Sequence, residues 1–248
     1  MIKKILFFSF LFVNNFIFSQ IKDSSIFVPA ISFSYSYQFP SGDLSDRFGK
    51  NFTIGSAFQI KTKKNWIFSV DFDYIFGDDV KEDNILDKIK TSDGLIINSV
   101  GEYGAYVFYE RGFTIGTGFG KIIPLNFSNP NSGLIFKLKF LFLSHFIKIE
   151  NENNDIPQIM GDYLEGYDRL TNGFAYNFSI GYFYLGESNI ANFNVALEFT
   201  QASTKNRRDF NFDLMKKDNS KRNDIFYGIK ISWILPFYAR KSSEFYVN

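Results

Sequence analysis

The chain has no cysteine, a single histidine and a net charge of only +1 over 248 residues. Each scarcity closes off a class of protein. Without cysteine, no disulfide framework can support an exported chain of this size, so it needs a fold held by its own hydrogen bonding. With 27 basic residues against 26 acidic ones, there is no electrostatic reason to expect nucleic acid as a partner. Past the N-terminus, no segment approaches the run of about 18 apolar residues that reads as a membrane helix. If such a chain spans a membrane, it must do so as a closed barrel, which alone satisfies every backbone group between strands.

Aromatic residues, by contrast, are abundant: 20% of the chain, with 33 Phe and 14 Tyr. They recur at every second position. From Ile31 to Phe39 the sequence reads Ile-Ser-Phe-Ser-Tyr-Ser-Tyr-Gln-Phe, and Trp66, Phe68, Val70, Phe72, Tyr74 and Phe76 repeat the pattern against Ser69, Asp71 and Asp73. Successive side chains on a strand point to opposite faces, so each segment has one aromatic face and one small or polar face. A soluble sandwich would place Lys, Glu and Thr on its outer face over a mixed Val, Leu and Ile core. The composition here suits lipid outside and a narrow polar lumen inside. A mean hydropathy of -0.11 agrees with that division.

Residues 1–19 have the parts of an export signal: Lys3 and Lys4, an apolar stretch from Ile5, and small Ser19 before Gln20. The domains expected are therefore a cleavable signal peptide at 1–19 and an outer-membrane barrel at 20–248. The fold class is all-β, a single antiparallel transmembrane β-barrel of eight to ten strands.

Segment by segment, the alternation yields nine strands, including one over Ile96 to Tyr109, a tight turn at Arg111-Gly112 and another strand from Phe113. Nine is an awkward number, because bacterial single-chain barrels have an even count, with short turns at one end and long loops at the other. Three strands between the long loop at Gly77 and the insert at Glu150 would put those two on opposite sides of the membrane. Ten strands is the favoured repair, eight the alternative. Val80 to Ile89, in the first of these loops, has the spacing of a short amphipathic helix.

Charges on the lumen face are Asp71, Asp73, Glu102, Glu198, Lys137, Lys139 and Lys230. Buried charges must pair, so an interior salt-bridge network blocking the lumen is the expected arrangement and a selective pore the alternative. His145 is the only base available to a histidine-dependent hydrolase, yet Ser144 beside it faces the other way and no G-x-S-x-G motif occurs. The acidic run at Glu150 to Asp155 lacks the spacing of a calcium loop. No catalytic residue, metal site or cofactor is therefore assigned. Contact candidates lie in the loops: Asp168 and Arg169 in a Gly-flanked turn, and Lys205, Arg207, Arg208, Phe210 and Phe212 in a basic stretch suited to lipopolysaccharide phosphate or a protein partner.

The signal end at Ser19/Gln20 and four phrases resemble small outer-membrane β-barrel proteins of the Bacteroidetes. The phrases are Tyr37-Gln38-Phe39-Pro40-Ser41-Gly42-Asp43-Leu44, Lys61-Thr62-Lys63-Lys64-Asn65-Trp66, Gly166-Tyr167-Asp168-Arg169-Leu170-Thr171-Asn172-Gly173 and Asn206-Arg207-Arg208-Asp209-Phe210-Asn211-Phe212-Asp213. The chain is similar, more distantly, to barrel subunits that accompany the secretion and gliding machinery of that phylum. The resemblance implies an outer-membrane location in a Gram-negative bacterium and a porin-like or complex-subunit role, and it transfers no catalytic residue. The function expected is a non-enzymatic structural or interaction subunit of the envelope, touching membrane lipid, lipopolysaccharide and other envelope proteins. A small pore, and a lipid A- or peptide-modifying hydrolase, are the alternatives.

Overall fold

A computed structural model describes residues 24–125, 129–151, 153, 155–186 and 190–237. The signal segment expected at 1–19 lies outside them. In chain order the strands are β1 (Val28–Gly42), β2 (Asn51–Lys61), β3 (Trp66–Gly77), β4 (Ile96–Ile97), β5 (Tyr103–Gly104), β6 (Tyr106–Pro124), β7 (Gly133–Asn151), β8 (Thr171–Tyr184), β9 (Phe193–Asn206) and β10 (Lys221–Pro236). Eight of them close a barrel in the order β1-β2-β3-β6-β7-β8-β9-β10, with β10 returning to β1, while β4 and β5 pair only with each other. Every barrel pairing is antiparallel.

The favoured count of ten is corrected to eight. The segment read as a strand over Ile96 to Tyr109 is mostly loop with the small β4-β5 hairpin, and Arg111-Gly112 is no turn but the middle of β6. Gly112 lies opposite His145 on β7 and Ile75 on β3. A Cβ there would meet the Ser144 carbonyl at 2.5 Å and the His145 Cβ at 2.9 Å. The glycine therefore marks a close approach inside a strand, a use of the residue that its neighbours in sequence do not distinguish from a turn. With β6 continuous, all the long loops fall at one end.

Alternation sorts side chains as the strand period requires. Phe33, Tyr35 and Phe39 of β1, Trp66 to Tyr74 of β3, Tyr176 to Tyr182 of β8 and Tyr227 to Trp233 of β10 face outward and exposed. Neighbouring strands match ring to ring, Tyr37 against Phe52, Phe52 against Phe76 and Phe199 against Tyr227. Such an apolar belt suits acyl chains. The 12 residues of β3 and the 14 of β8 cover the roughly 9–11 that a tilted spanning strand needs. β6 and β7, at 19 residues each, run beyond it.

Apolar side chains also fill both ends of the lumen. At the turn end, Val28, Ile67, Ile122, Ile135, Phe183 and Ile234 form one buried cluster. At the loop end a larger cluster joins lumen-facing Ile75, Leu143 and Phe226 to loop residues including Leu44, Phe48, Ile85, Leu86, Ile96 and Ile156. The amphipathic segment expected at Val80 to Ile89 is a short 3₁₀ helix, Asp83–Ile89, that buries Ile85 and Leu86 in this cap.

Candidate functional site

Between the two apolar ends, β3, β7, β9 and β10 bring six charges together. Lys230 Nζ donates to both Asp73 oxygens at 2.7 and 2.8 Å. Lys137 Nζ reaches both oxygens of Asp71 at 2.9 and 3.2 Å, and Lys139 Nζ reaches Glu198 Oε1 at 3.0 Å and Asp71 at 3.9 Å. Three ammonium groups thus meet three carboxylates, all buried or nearly so. Small residues opposite make the room. A Cβ on Gly118 would press on the Lys137 and Lys139 stems at 2.9 Å, and one on Gly55 would collide with the Asp73 carboxylate. The space left over is a cavity of ≈ 40 Å³ beside this cluster and another of ≈ 20 Å³ above it, enough for a few waters but not for a solute.

Glu102, grouped with these charges from the sequence, does not belong to them. It lies exposed in the loop between β3 and β6, donating its main-chain N–H to Asn98 Oδ1 at 2.8 Å. The misplacement follows from the strand wrongly drawn over Ile96 to Tyr109. Glu110 is the inward carboxylate of that region, fully enclosed and bound by Asn51 Nδ2 at 2.8 Å.

Above the six charges lies a second polar layer that sequence reasoning did not assemble. His145 Nε2 faces Asp224 Oδ2 at 3.1 Å, and Thr204 Oγ1 donates to the same oxygen at 2.6 Å. The Phe48 ring packs edge-on against the imidazole, with centroids 5.6 Å apart. His145 and Asp224 are both wholly buried, so no substrate reaches the one histidine. The signal available in the sequence was positional: His145, Thr204 and Asp224 all have lumen parity, but only the barrel register brings them together.

The cap is tied down by arginines. Arg47, at the end of the short helix Asp43–Asp46, donates to Thr171 Oγ1 at 3.1 Å and to the Arg169 carbonyl at 3.2 Å, and lies 3.5 Å from Glu82. Burial pulls its pKa below the ordinary arginine value, with Glu82 opposing. Arg169 pairs with Asp213 and lies 3.4 Å from Glu82, so with Arg47 one buried cluster joins four loops. It adopts φ 54°, a left-handed backbone uncommon outside glycine, which aims its guanidinium into the cap.

The remaining contact candidates divide. Arg208 binds Asp168 through Nε at 2.9 Å and Glu165 at 2.8 Å, and Phe212 packs edge-on against Tyr167 at 5.3 Å over Gly166. Arg169, Asp168, Arg208 and Phe212 therefore hold the cap together and offer little to a partner. Phe210, Lys205 and Arg207 are exposed. The loop that carries the basic stretch is confined to residues 207–220, because β9 continues to Asn206 and β10 begins at Lys221.

No protein-family model and no curated protein matches the sequence. Among solved structures the chain is similar to Neisserial surface protein A (NspA), at 11% identity and a TM-score of 0.47, covering 85% of this chain and 97% of that one. It is similar also to Ail, the attachment invasion locus protein of Yersinia pestis, in complex with the heparin analogue sucrose octasulfate, at 9% identity and a TM-score of 0.40 over 85% and 99% of the two chains. A third is the outer membrane protein OprG from Pseudomonas aeruginosa, at 11% and 0.34 over 89% and 100%. Likeness at this level concerns the path of the chain and not its side chains.

Proposed function

We propose that the chain is a non-enzymatic barrel of a Gram-negative outer membrane that acts as a structural or interaction subunit through its loop cap. The aromatic belt supports the membrane, and the gathering of long loops at one end supports an orientation with the cap outside and the short turns in the periplasm. The resemblance to small outer-membrane barrels of the Bacteroidetes is in keeping with this.

The observation that carries the reading is the lumen itself. Its six central charges are mutually paired and apolar clusters lie at both ends, so the interior is spent on stability and not on transport. What remains available to a protein partner is the outer surface of the cap, where Ile97, Val100 and Tyr103 are exposed and where Met160 and Tyr163, also exposed, line an open groove. Exposed apolar side chains on a rigid base suit protein contact.

Purification from native membranes in mild detergent, with Val100→Asp/Tyr163→Asp as the comparison, tests this. An envelope component should co-purify with the native chain in a fixed ratio and be lost from the variant. A chain that always runs alone overturns the reading.

A further inference from the structure

The seven basic residues from Lys205 to Arg222 are not equivalent once the barrel is closed. Lys217 is paired with Asp209, Arg222 with Asp218, and Arg208 with Asp168 and Glu165. Lys216 and the trio Lys205, Arg207 and Lys221 have no carboxylate within ion-pair distance among the described residues; Lys216 sits apart in the loop between β9 and β10, while the trio lies at or next to the strand ends. All three are exposed. Register places them side by side: Lys205 of β9 is opposite Lys221 of β10, and on its other flank opposite Asn172 of β8. Arg207 lies over that same Asn172, its Nε bound to the Asn172 side-chain oxygen and its Nη2 3.5 Å from the Asn172 carbonyl, so both contacts are to neutral oxygens and its charge is not neutralised.

These cations face outward, because Lys205 and Lys221 share the parity of Phe199 and Tyr227, which lie on the lipid-facing belt. Directly below them the belt is interrupted. Ser203 and Asn223 are opposite one another and both exposed, and Gln201 follows, taking a hydrogen bond from Tyr176 OH and donating to Asn223 Oδ1 at 2.8 Å. To one side Phe174 is 82% exposed, level with Ser203. The outer wall of β8, β9 and β10 therefore has a notch in its apolar belt made of neutral hydrogen-bonding groups, crowned by three cations without a carboxylate partner among the described residues and flanked by an apolar ring. Asp43, which accepts from the Asn223 main-chain N–H at 2.7 Å, is the carboxylate at its edge.

We infer that the notch below Lys205, Arg207 and Lys221 binds the phosphorylated headgroup of an outer-leaflet glycolipid. The cations take the phosphate, Gln201, Ser203 and Asn223 take sugar hydroxyls, and Phe174 and Tyr227 lie along the acyl chains. Arginine and lysine bind phosphate through charge-assisted hydrogen bonds, and their position at the margin of the belt is where such a phosphate sits. The inference rests on the outer-membrane reading, but it concerns the wall of the barrel and not the top of the cap.

The test uses the full chain folded into phosphatidylcholine vesicles, where heat-modifiable gel mobility reports insertion independently of ligand. Lipid A bearing both phosphates is then added in mild detergent and bound copies are counted by native mass spectrometry. The phosphorylated lipid should bind at least about tenfold more tightly than its dephosphorylated form. Lys205→Gln/Lys221→Gln should lose about 30-fold, from roughly fivefold per cation at a membrane surface. Lys217→Gln, whose ammonium is already paired, should bind as the native chain does. Equal affinity for dephosphorylated lipid, or native affinity in the double variant, overturns the inference, and displacement of the lipid by micromolar inorganic phosphate reassigns the site to free anion and overturns the lipid. Failure of the native chain to insert overturns the membrane reading instead.

Discussion

Lys230 and Asp73 illustrate what a single residue contributes in a closed barrel. Both are less than a tenth exposed, and the ammonium spans both carboxylate oxygens. Removing one partner strands the other charge in a low dielectric, at a cost of about 3–5 kcal/mol, whereas removing both costs far less. Lys230→Met should therefore destabilise the folded barrel by about 3 kcal/mol or more, and adding Asp73→Leu should restore much of the loss. Urea unfolding in lipid vesicles measures both. The pairing was foreseeable from lumen parity for six of the seven charges named from the sequence. Glu102 failed because parity has no meaning in a loop.

The loops form the next scale, and they behave as one packed element. Arg47 and Arg169 join the segments after β1, β3, β7 and β9 through Glu82, Asp213 and Thr171. Arg169→Ala removes the ion pair with Asp213 and should increase protease cutting within residues 207–220 at least about threefold, while leaving the barrel strands resistant. Acid should loosen the same segment. Burial alone raises the Asp218 carboxyl, but hydrogen bonds from Ser220 and the Arg222 ion pair outweigh it and hold the group below its ordinary value of 3.8. A depressed carboxylate contributes stability that is complete above its unfolded pKa and is lost as pH falls through the folded one. Amide exchange in residues 211–222, corrected for intrinsic rates, should thus be unchanged between about pH 7 and 5 and accelerate below about pH 3.5.

At the scale of the whole molecule, the closed and charge-balanced lumen has a direct consequence for conduction. Native protein in planar bilayers should show no steady ion current. Gly118→Ser together with Lys137→Ser, which removes one cation beside the larger cavity, should still show none, because the apolar clusters at both ends remain. Open-channel current from the native chain would restore the pore alternative.

Strand period, the aromatic outer face and the inward charges were legible from residue order, because alternation is a local property that each strand carries by itself. That much determined a barrel with a filled polar interior. The number of strands was not, since Arg111-Gly112 has the composition of a turn and only the neighbouring β3 and β7 show that the glycine makes room for His145 and the Ser144 carbonyl. Nor was the division of the basic residues. Lys217 and Arg222 pair with carboxylates of their own loop, but Arg208 differs from Arg207 beside it only in the Asp168 and Glu165 carboxylates that the folded cap brings to it, and contacts between distant segments exist only once the barrel has closed.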